Sequence, residues 1–528
     1  MARVRQRTDA ISCVRHSSSI PGLAGLITFG LKLARPPLDP LIALPDCEHG
    51  RMNSSPSVSR VLMLAAAGVA VVLLIAVLCT LAFVDINDYK PRVEASLSQA
   101  SGANVTIEGS MSVAFTPMLG VSLEGVRVIN QGIELAFVKR ADVALELLPL
   151  IWGEIRYGTI SANGTRVAIV RDRDGRYNYQ RPNSANQTNR VLMLPKVNFS
   201  ELIVTYLDQQ SNDRFESMGC DGVLTGILHP GGSPLLQHLS MRGNFECAEV
   251  RNSTSTVGKL KFVVTATDGV YDFTPVTLQA FGGTGAATMH MDRTGESPTY
   301  KISITLSKFH IEQFFKNLKS GLAVSGLMDF STTLAMRGRT RLEMRQTAVG
   351  EMSLSGTDLT LTGMDLDAQL VKFESSQNLN LIDVSALLFA GPVGLVVTKG
   401  ADFAGIAQTN SGKTALRTVI STWKVENGIA SAKDVALATT RNRVAVHGGL
   451  DFATNQYRDI TVGLLDSNGC TVARQKISGP FSKPVADKSN ILVPIGPFLK
   501  LLDKAKTLFA GPGTKCEVFY QGTVPQPA

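Results

Sequence analysis

The sequence predicts a mainly β protein with a few short helices and one N-terminal transmembrane helix. Apolar and polar residues alternate in short segments such as 121–128, 166–171 and 301–306. A period of two is typical of a strand that has one face in water. Residues 61–84 form one long apolar run without a charged residue. The first pattern indicates an extended sheet, and the second indicates a membrane anchor before it.

The apolar run at 61–84 is longer than the roughly 20 residues that a helix needs to cross a bilayer. A cleaved signal peptide is the main alternative, but its apolar region is usually only about 7–15 residues long. No convincing small-residue cleavage site follows the run. Arginine and lysine residues precede it, so the positive-inside rule places the N-terminus in the cytoplasm. The bulk of the chain is then exported.

The first part of the chain differs in composition from the rest. Prolines interrupt it between residues 36 and 45, and Met52 is a suitable translation start. We therefore predict a cytoplasmic segment at 1–60, of which 1–51 is either disordered or not translated.

Charge and composition argue against a nucleic-acid partner. The chain has 528 residues and a formal net charge of +8. Its basic residues are scattered and form no stripe interleaved with aromatic side chains, which is the usual footprint of nucleic-acid binding. A mild positive balance suits a domain that works near anionic lipid head groups, but an ordinary solvated surface is the better explanation.

Beyond the anchor, polar segments at 173–190 and 230–234 suggest boundaries. We divide the exported part into three β regions, at 85–230, 231–350 and 351–528. A first helix is expected at 88–99, capped by Asp88, with Val93 and Leu97 on its apolar side and Gly102 at its end. Further short helices are expected at these positions: 311–318, 366–373, 383–389 and 498–509.

The cysteines beyond the anchor are Cys220, Cys247, Cys470 and Cys516. In an oxidising compartment the most economical pairing joins Cys220 to Cys247 and Cys470 to Cys516, because the members of each pair are close in sequence. Free buried thiols are the alternative. The spacing does not fit zinc, since there is no C-x-x-C pair.

Catalytic and cofactor motifs are incomplete, and we predict neither an enzyme nor a cofactor or metal site. Residues 407–414 (AQTNSGKT) imitate a phosphate-binding loop, but Ala407 stands where its first glycine belongs. Gly283 and Gly285 lack the third glycine of a dinucleotide fingerprint, and we expect a bulge there. Asp365 and Asp367 have the residue types for acid and base catalysis, although carboxylates near turns are usually just solvated.

Several segments, in this order, resemble the AsmA family of bacterial envelope proteins. Asp88 to Pro91 follow the anchor directly, and the turn that ends at Tyr179 departs from many relatives, which carry tryptophan there. The similarity extends from about residue 61 to the C-terminus. The segments that carry it are these: 88–91, 101–109, 120–130, 143–155, 174–179, 281–285, 381–383 and 422–428.

This resemblance implies an inner-membrane protein of Gram-negative bacteria whose periplasmic part is an elongated, curved antiparallel β-sheet groove. Such proteins are linked to outer-membrane assembly and to lipid passage between membranes. The implied partners are the membrane, a phospholipid or other envelope lipid, and outer-membrane assembly proteins. The implied function includes regulation of protein targeting to the membrane.

Alternating residues Ile302, Ile304 and Leu306 are candidates to line the groove. Strand alternation alone does not distinguish a lipid trough from a closed core. Two alternatives therefore remain open. One is a protein-binding scaffold that regulates outer-membrane protein assembly without carrying lipid, and the other is an envelope hydrolase that uses Asp365 and Asp367.

Overall fold

A computed structural model describes most of the chain beyond residue 84. The described residues are 63, 67–69, 71–72, 85–114, 120–145, 157–180, 191–231, 236–252, 255–317, 323–368, 388–389, 412–487, 490–491 and 518–527. The chain divides into two compact units, Met1–Phe83 and Val84–Ala528.

The six described residues of the first unit are helical. Val72, near the middle of the predicted anchor, has 64% of its surface exposed. The rest of the predicted anchor at 61–84 and the segment 1–60 lie outside the described residues. Among the described residues, no helix is both long and apolar enough to cross a membrane.

The second unit is mainly β, and the 22 strands among its described residues form one open, curved sheet. The first eleven strands are β1 Asn104–Ile107, β2 Met111–Ala114, β3 Gly120–Asn130, β4 Ile133–Leu145, β5 Tyr157–Arg171, β6 Leu192–Asp208, β7 Asp213–His229, β8 Ser240–Asn252, β9 Thr256–Thr267, β10 Val270–Ala280 and β11 Gly283–Asp292. The second eleven are β12 Thr299–His310, β13 Ala323–Ser325, β14 Leu327–Arg337, β15 Val349–Thr362, β16 Lys413–Glu426, β17 Ile429–Ala438, β18 Arg443–Asp451, β19 Gln456–Leu465, β20 Thr471–Pro480, β21 Val485–Ala486 and β22 Asn490–Ile491.

Neighbouring strands are antiparallel with one exception. β5 and β6 run parallel, with Thr159 opposite Lys196 and Arg171 opposite Asp208. The expectation of a purely antiparallel sheet is wrong at this point. A parallel pair needs a crossover connection, and the polar segment 173–190 supplies it. The boundaries expected at 231 and 351 stay predictions, and the sheet continues across both through the β7–β8 and β14–β15 pairs.

Among the described residues beyond Val84, the bounded helices are the 3-10 helix Ile86–Tyr89, α1 Lys90–Ser101, α2 Ile311–Asn317 and α3 Arg341–Gln346. Asp88 does not cap α1. Asp85 caps the 3-10 helix instead, and Gly102 ends α1 in the left-handed conformation, as predicted. Leu97 is 37% exposed, so its predicted place on the apolar side of the helix is wrong. The residues that pack against the sheet are Val93, as predicted, and Ile86.

The other predicted helices have different outcomes. The helix expected at 311–318 is confirmed as α2. Only 366–368 and 388–389 are described as helical within the helices expected at 366–373 and 383–389, and the one expected at 498–509 lies outside the described residues. Sequence analysis missed α3, although Thr340 and Glu343 form the capping box that marks a helix start.

Tight hairpins fix the register of the strands. Two-residue turns with positive φ at both positions join β3 to β4, β9 to β10, β10 to β11 and β16 to β17. This is the turn geometry whose twist matches that of the sheet. Asp268-Gly269 and Asn427-Gly428 are residue pairs that favour it, whereas Phe281-Gly282 is an unusual sequence for such a turn.

The C-terminal residues 518–527 pack on the second face of the strands near β17. Tyr520 and Val524 form an apolar cluster with Ala436, Ala438 and Ala445. The Asp434 carboxylate accepts hydrogen bonds from the Thr523 backbone N–H at 3.1 Å and its hydroxyl at 2.6 Å. Both faces of the sheet are therefore covered in this region.

Candidate functional site

The register of the sheet aligns apolar residues into a continuous row across the strands. Directly opposed residues of neighbouring strands lie on the same face. From β2 to β19, with β14 and not β13 taken between β12 and β15, the successive partners of this first apolar row are Val113, Val121, Val143, Ile160, Val197, Leu224, Gly243, Val264, Phe273, Met289, Ile302, Leu334, Gly350, Val425, Ala430, Leu450 and Tyr457. Every member is apolar or glycine.

A second apolar row lies two residues away on most strands and therefore on the same face. From β2 to β17 its members are Met111, Leu123, Ala141, Ala162, Phe199, Gly222, Phe245, Phe262, Val276, Ala287, Ile304, Thr332, Met352, Trp423 and Ala432. Its one hydroxyl, on Thr332, donates to the Glu351 carbonyl at 3.1 Å. The two rows together form an apolar strip that crosses the sheet.

Phenylalanine rings form a ladder within the strip. Phe199 and Phe245 have ring centroids 6.5 Å apart, and Phe245 and Phe262 stack at 5.2 Å with an interplanar angle of 19°. Phe273 continues the series 6.1 Å from Phe262. All four rings are half-buried. They therefore present aromatic surface along four strands, β6, β8, β9 and β10.

Glycines explain how the Phe245 ring lies against the sheet. A Cβ added to Gly222 would stand 2.3 Å from Phe245 Cδ1, and one added to Gly243 would stand 2.6 Å from Leu224 Cδ2. Such separations are far inside van der Waals contact. The ring thus occupies the space that a side chain at Gly222 would need.

Burial changes along the strip. Between β6 and β12 most of its side chains are half-buried, among them Leu224, Met289 and Ile302. From β15 onward most of them are buried, and Trp423 and Leu450 have no exposed surface. The strip therefore has a half-buried middle part and a closed C-terminal part.

Side chains from outside the strands fill the closed part. Phe389 lies 6.1 Å from the Trp423 ring, and the Ser421 hydroxyl donates to the Leu388 carbonyl at 2.7 Å. Trp423 Nε1 donates to the same hydroxyl at 2.7 Å. Because the buried Ser421 hydroxyl and the Trp423 indole N–H both have hydrogen-bond partners, this region has the character of a closed core.

The three predicted groove residues do not share one environment. Ile302 and Ile304 are half-buried and belong to the first and second apolar rows. Leu306 is 8% exposed and packs within the large closed core. Prediction from alternation alone missed the phenylalanine ladder, although Phe245, Phe262 and Phe273 each occupy an inward position of an alternating segment.

A disulfide joins Cys220 and Cys247, which are directly opposed on β7 and β8. This is the pairing that sequence proximity favours. Cys470 is also disulfide-bonded, and its partner lies outside the described residues. The predicted Cys470–Cys516 pair stays a prediction, since Cys516 is not described.

Comparison with known proteins identifies the family. The AsmA family model matches residues 59–219 and 242–435, which together make up more than half of the chain. The chain belongs to the AsmA family. No curated protein and no solved structure matches it.

The segment at 174–179, which carries part of the AsmA resemblance, has a structural role. Asn178 is buried, its Nδ2 donates to the Ala168 carbonyl at 2.7 Å, and its Oδ1 accepts from the Val170 N–H at 2.9 Å. Asn130 Nδ2 in turn donates to the Asn178 carbonyl at 2.7 Å. This turn therefore ties the β3–β4 hairpin to β5 at the start of the crossover.

A charged pair closes the end of the parallel ladder in this AsmA protein. Arg171 Nη1 lies 3.0 Å from Asp208 Oδ2, and the Asp208 side chain is 2% exposed. Burial raises the pKa of Asp208, but hydrogen bonds from Arg171 and from the Gln210 and Ser211 backbone outweigh it and leave the pKa below its usual value. Burial also raises the pKa of the neighbouring Tyr206 to about 12. Asp208 is therefore held as a carboxylate.

Asp365 and Asp367 are both engaged in local hydrogen bonds. Asp367 is 9% exposed and accepts from Thr439 Oγ1 at 2.5 Å, Thr440 Oγ1 at 2.9 Å and Asn442 Nδ2 at 2.6 Å. Asp365 Oδ1 accepts from the Ala368 N–H at 2.9 Å. The Asp367 carboxylate therefore accepts hydrogen bonds from the β17–β18 turn. The Asp365 carboxylate caps the helical turn at 366–368.

The loop that imitates a phosphate site leads into a strand. Lys413 and Thr414 begin β16, whereas the corresponding residues of a phosphate-binding loop begin a helix whose N-terminus faces the anion. Thr414 is buried and donates to the Met364 carbonyl at 2.8 Å. Residues 407–411 of this loop lie outside the described part of the chain.

The pair Gly283 and Gly285 lies at the start of β11, not in the expected bulge. Added Cβ atoms would approach Phe309 and Leu278 at 2.7 Å each. The glycines make room for neighbouring side chains. Within the described residues, no group of histidine, cysteine, aspartate and glutamate side chains is arranged to hold a metal ion.

Proposed function

We propose that this AsmA-family protein holds lipid acyl chains on the half-buried part of its apolar strip, between β6 and β12. By binding or transferring lipid there it would support outer-membrane assembly, including regulation of protein targeting to the membrane. The observation that carries the proposal is the first apolar row, in which every register partner from β2 to β19 is apolar or glycine.

The row provides a continuous apolar path across the sheet. An acyl chain laid along it would remain on apolar surface at each strand, and each Å² removed from water would stabilise the complex by about 25 cal/mol. The phenylalanine ladder adds flat surface with few rotatable bonds, so little conformational entropy is lost on binding. Both properties favour a long, flexible, non-polar ligand.

The compartment belongs to the same proposal. A spanning helix at 61–84 would anchor the chain in the inner membrane, with the bulk of it in the periplasm. The disulfide between Cys220 and Cys247 supports an oxidising compartment, because such bonds persist there and are rare in the bacterial cytosol.

A protein-binding scaffold is the second candidate. The observation that favours it is the exposed apolar pair Leu342 and Val349 around α3, with 52% and 46% of their surfaces exposed. Such residues can contact a partner protein. On this alternative the apolar strip would be a core, and no lipid would accompany the purified protein.

Charge substitutions on the two faces of one strand test the lipid proposal. Phe262→Asp places a carboxylate in the strip, and Val263→Asp places one on the opposite face of β9. The purified full-length variants are compared by circular dichroism and by mass spectrometry of bound lipid. We expect Phe262→Asp, and likewise Ile304→Asp, to fold and lose most of the lipid, and Val263→Asp to retain it.

Leu306→Asp provides a further control. Because Leu306 lies in the closed core, an unpaired carboxylate there should unfold the surrounding strands. Folded Phe262→Asp and Ile304→Asp proteins with undiminished lipid would exclude the strip as the binding site and favour the scaffold.

A further inference from the structure

The N-terminal edge of the sheet is covered by a helix instead of a strand. Both β1 and β2 pair with β3 on one side, through Val105 opposite Val128 and Met111 opposite Leu123. On the other side the 3-10 helix Ile86–Tyr89 and α1 run alongside them. An uncovered edge would present a row of unpaired backbone groups.

Side chains from these helices reach the outward backbone groups one by one. Ser98 Oγ accepts from the Val105 N–H at 2.9 Å, and Glu94 Oε1 accepts from the Ile107 N–H at 2.6 Å. Lys90 Nζ donates to the Gly109 carbonyl at 3.2 Å. Asn87 Oδ1 accepts from the Met111 N–H at 2.9 Å.

The contacts follow a regular pattern. Successive helical residues are three or four positions apart, which is one turn, and successive edge residues are two positions apart, which is one strand repeat. One helical turn advances about 5.4 Å, and two strand residues advance about 6.8 Å. Over four contacts the two repeats stay close enough for each side chain to meet its backbone partner. Four side chains therefore form a polar row that replaces the backbone hydrogen bonds of a neighbouring strand. They belong to Asn87, Lys90, Glu94 and Ser98.

We propose that this polar row is an edge cap, which prevents an extended chain from pairing with the outer side of β1 and β2. The chain that it excludes is the same edge of a second copy of this protein. A second copy is the occupant that the geometry favours. Two β1–β2 edges that pair antiparallel satisfy each other's outward groups by a twofold axis, which is the commonest symmetry of protein pairs. At the opposite edge of the sheet, β20 pairs with the two short strands β21 and β22.

The apolar face of β1 and β2 is compatible with such a twofold pair. Val105, Ile107 and Met111 are buried on it, and Met111 begins the second apolar row. A twofold axis perpendicular to the sheet places the same face of both copies on one side. The apolar strips of the two copies would then meet at the junction.

The test removes the cap's acceptors from the full-length protein. Glu94→Ala with Ser98→Ala deletes both acceptors opposite β1, while Glu94→Gln with Ser98→Thr retains an oxygen at each position. Hydrogen exchange of the Val105 and Ile107 amides is measured, together with molar mass by light scattering. In the monomeric double-alanine protein, we expect these amides to exchange roughly five to ten times faster than in the native protein. We also expect its monomer–dimer equilibrium to shift towards the dimer. The control variant should show neither change.

Each outcome bears on the proposal. Exchange and mass that both match the control would overturn the cap. Faster exchange at an unchanged mass over a tenfold concentration range would leave the cap but overturn the second copy as its occupant. If the double variant loses its β circular dichroism, Ser98→Ala alone, which leaves the other three side chains in place, is measured in the same way.

Discussion

At the scale of residues, several side chains with catalytic chemistry serve the fold. Asp367 has three donors on its two oxygens, and Thr414 joins β16 to the Met364 carbonyl. A buried carboxylate satisfied in this way stabilises the turn that supplies its donors, because each donor would otherwise lack a partner.

Substitution of Asp367 tests this structural assignment. Asp367→Ala leaves two hydroxyls and an amide without their acceptor, and we expect the free energy of unfolding to fall by about 2–4 kcal/mol. Asp365→Ala removes a single backbone contact and should cost about 0.5–2 kcal/mol. Urea denaturation of both variants measures the difference. Equal, small losses would contradict the role given to Asp367 and would reopen the acid–base alternative.

At the scale of elements, the parallel pair β5–β6 is the exception in the sheet, and its stability depends on how its ends are fastened. The Arg171–Asp208 ion pair sits at the last register position of the ladder, and the Asn178 turn leads away from it. Residues with positive φ interrupt two of the strands, β6 within this pair and β12 farther along the sheet. Glu201 on β6 and Lys308 on β12 have positive φ, and their N–H groups donate to Asp221 and Asp329 of the next strand.

The depressed pKa of Asp208 gives this pair a defined pH dependence. A carboxylate with a folded-state pKa below its usual 3.8 contributes stability that is present above pH 3.8 and is lost as pH falls through the folded pKa. We expect Asp208→Asn to be less stable than the native protein near neutral pH, and the difference to shrink in acid. Urea midpoints of both proteins between about pH 7 and pH 2 measure it. A difference that is independent of pH would contradict the assignment.

At the scale of the whole molecule, the fold is one sheet whose two ends have different environments. The N-terminal edge is covered by polar helical side chains, the middle has a half-buried apolar strip, and the strands after β15 enclose a core. The proposed function requires this sheet to be attached to a membrane. In that proposal, a spanning helix at residues 61–84 would supply the attachment.

A charge within the predicted anchor tests the attachment. Val72→Arg should disfavour insertion by about 2.5–3.5 kcal/mol at the helix centre, so that the protein is released or degraded. Leu342→Arg, at an exposed position on α3, adds the same charge outside the anchor and should leave membrane retention unchanged. Cell fractionation distinguishes the two. Unchanged membrane retention of Val72→Arg would refute a single spanning helix.

The sequence by itself determined the β class, the AsmA family, α2 and the end of α1. These follow from local signals: a period of two for strands, a glycine with positive φ at Gly102, and family motifs in a fixed order. The Cys220–Cys247 pair also followed from short separation along the chain. Local patterns predict such features because the responsible residues are neighbours in sequence.

Only the tertiary structure decided which alternating residues belong to the strip and which to the core. Ile304 and Leu306 have the same pattern in sequence, but Leu306 meets the closed core and Ile304 lies opposite Ala287 and Thr332. The parallel pair, the edge cap and the two apolar rows likewise depend on partners far apart in the chain. Strand register brings those partners together, and periodicity within one strand carries no information about the strand beside it.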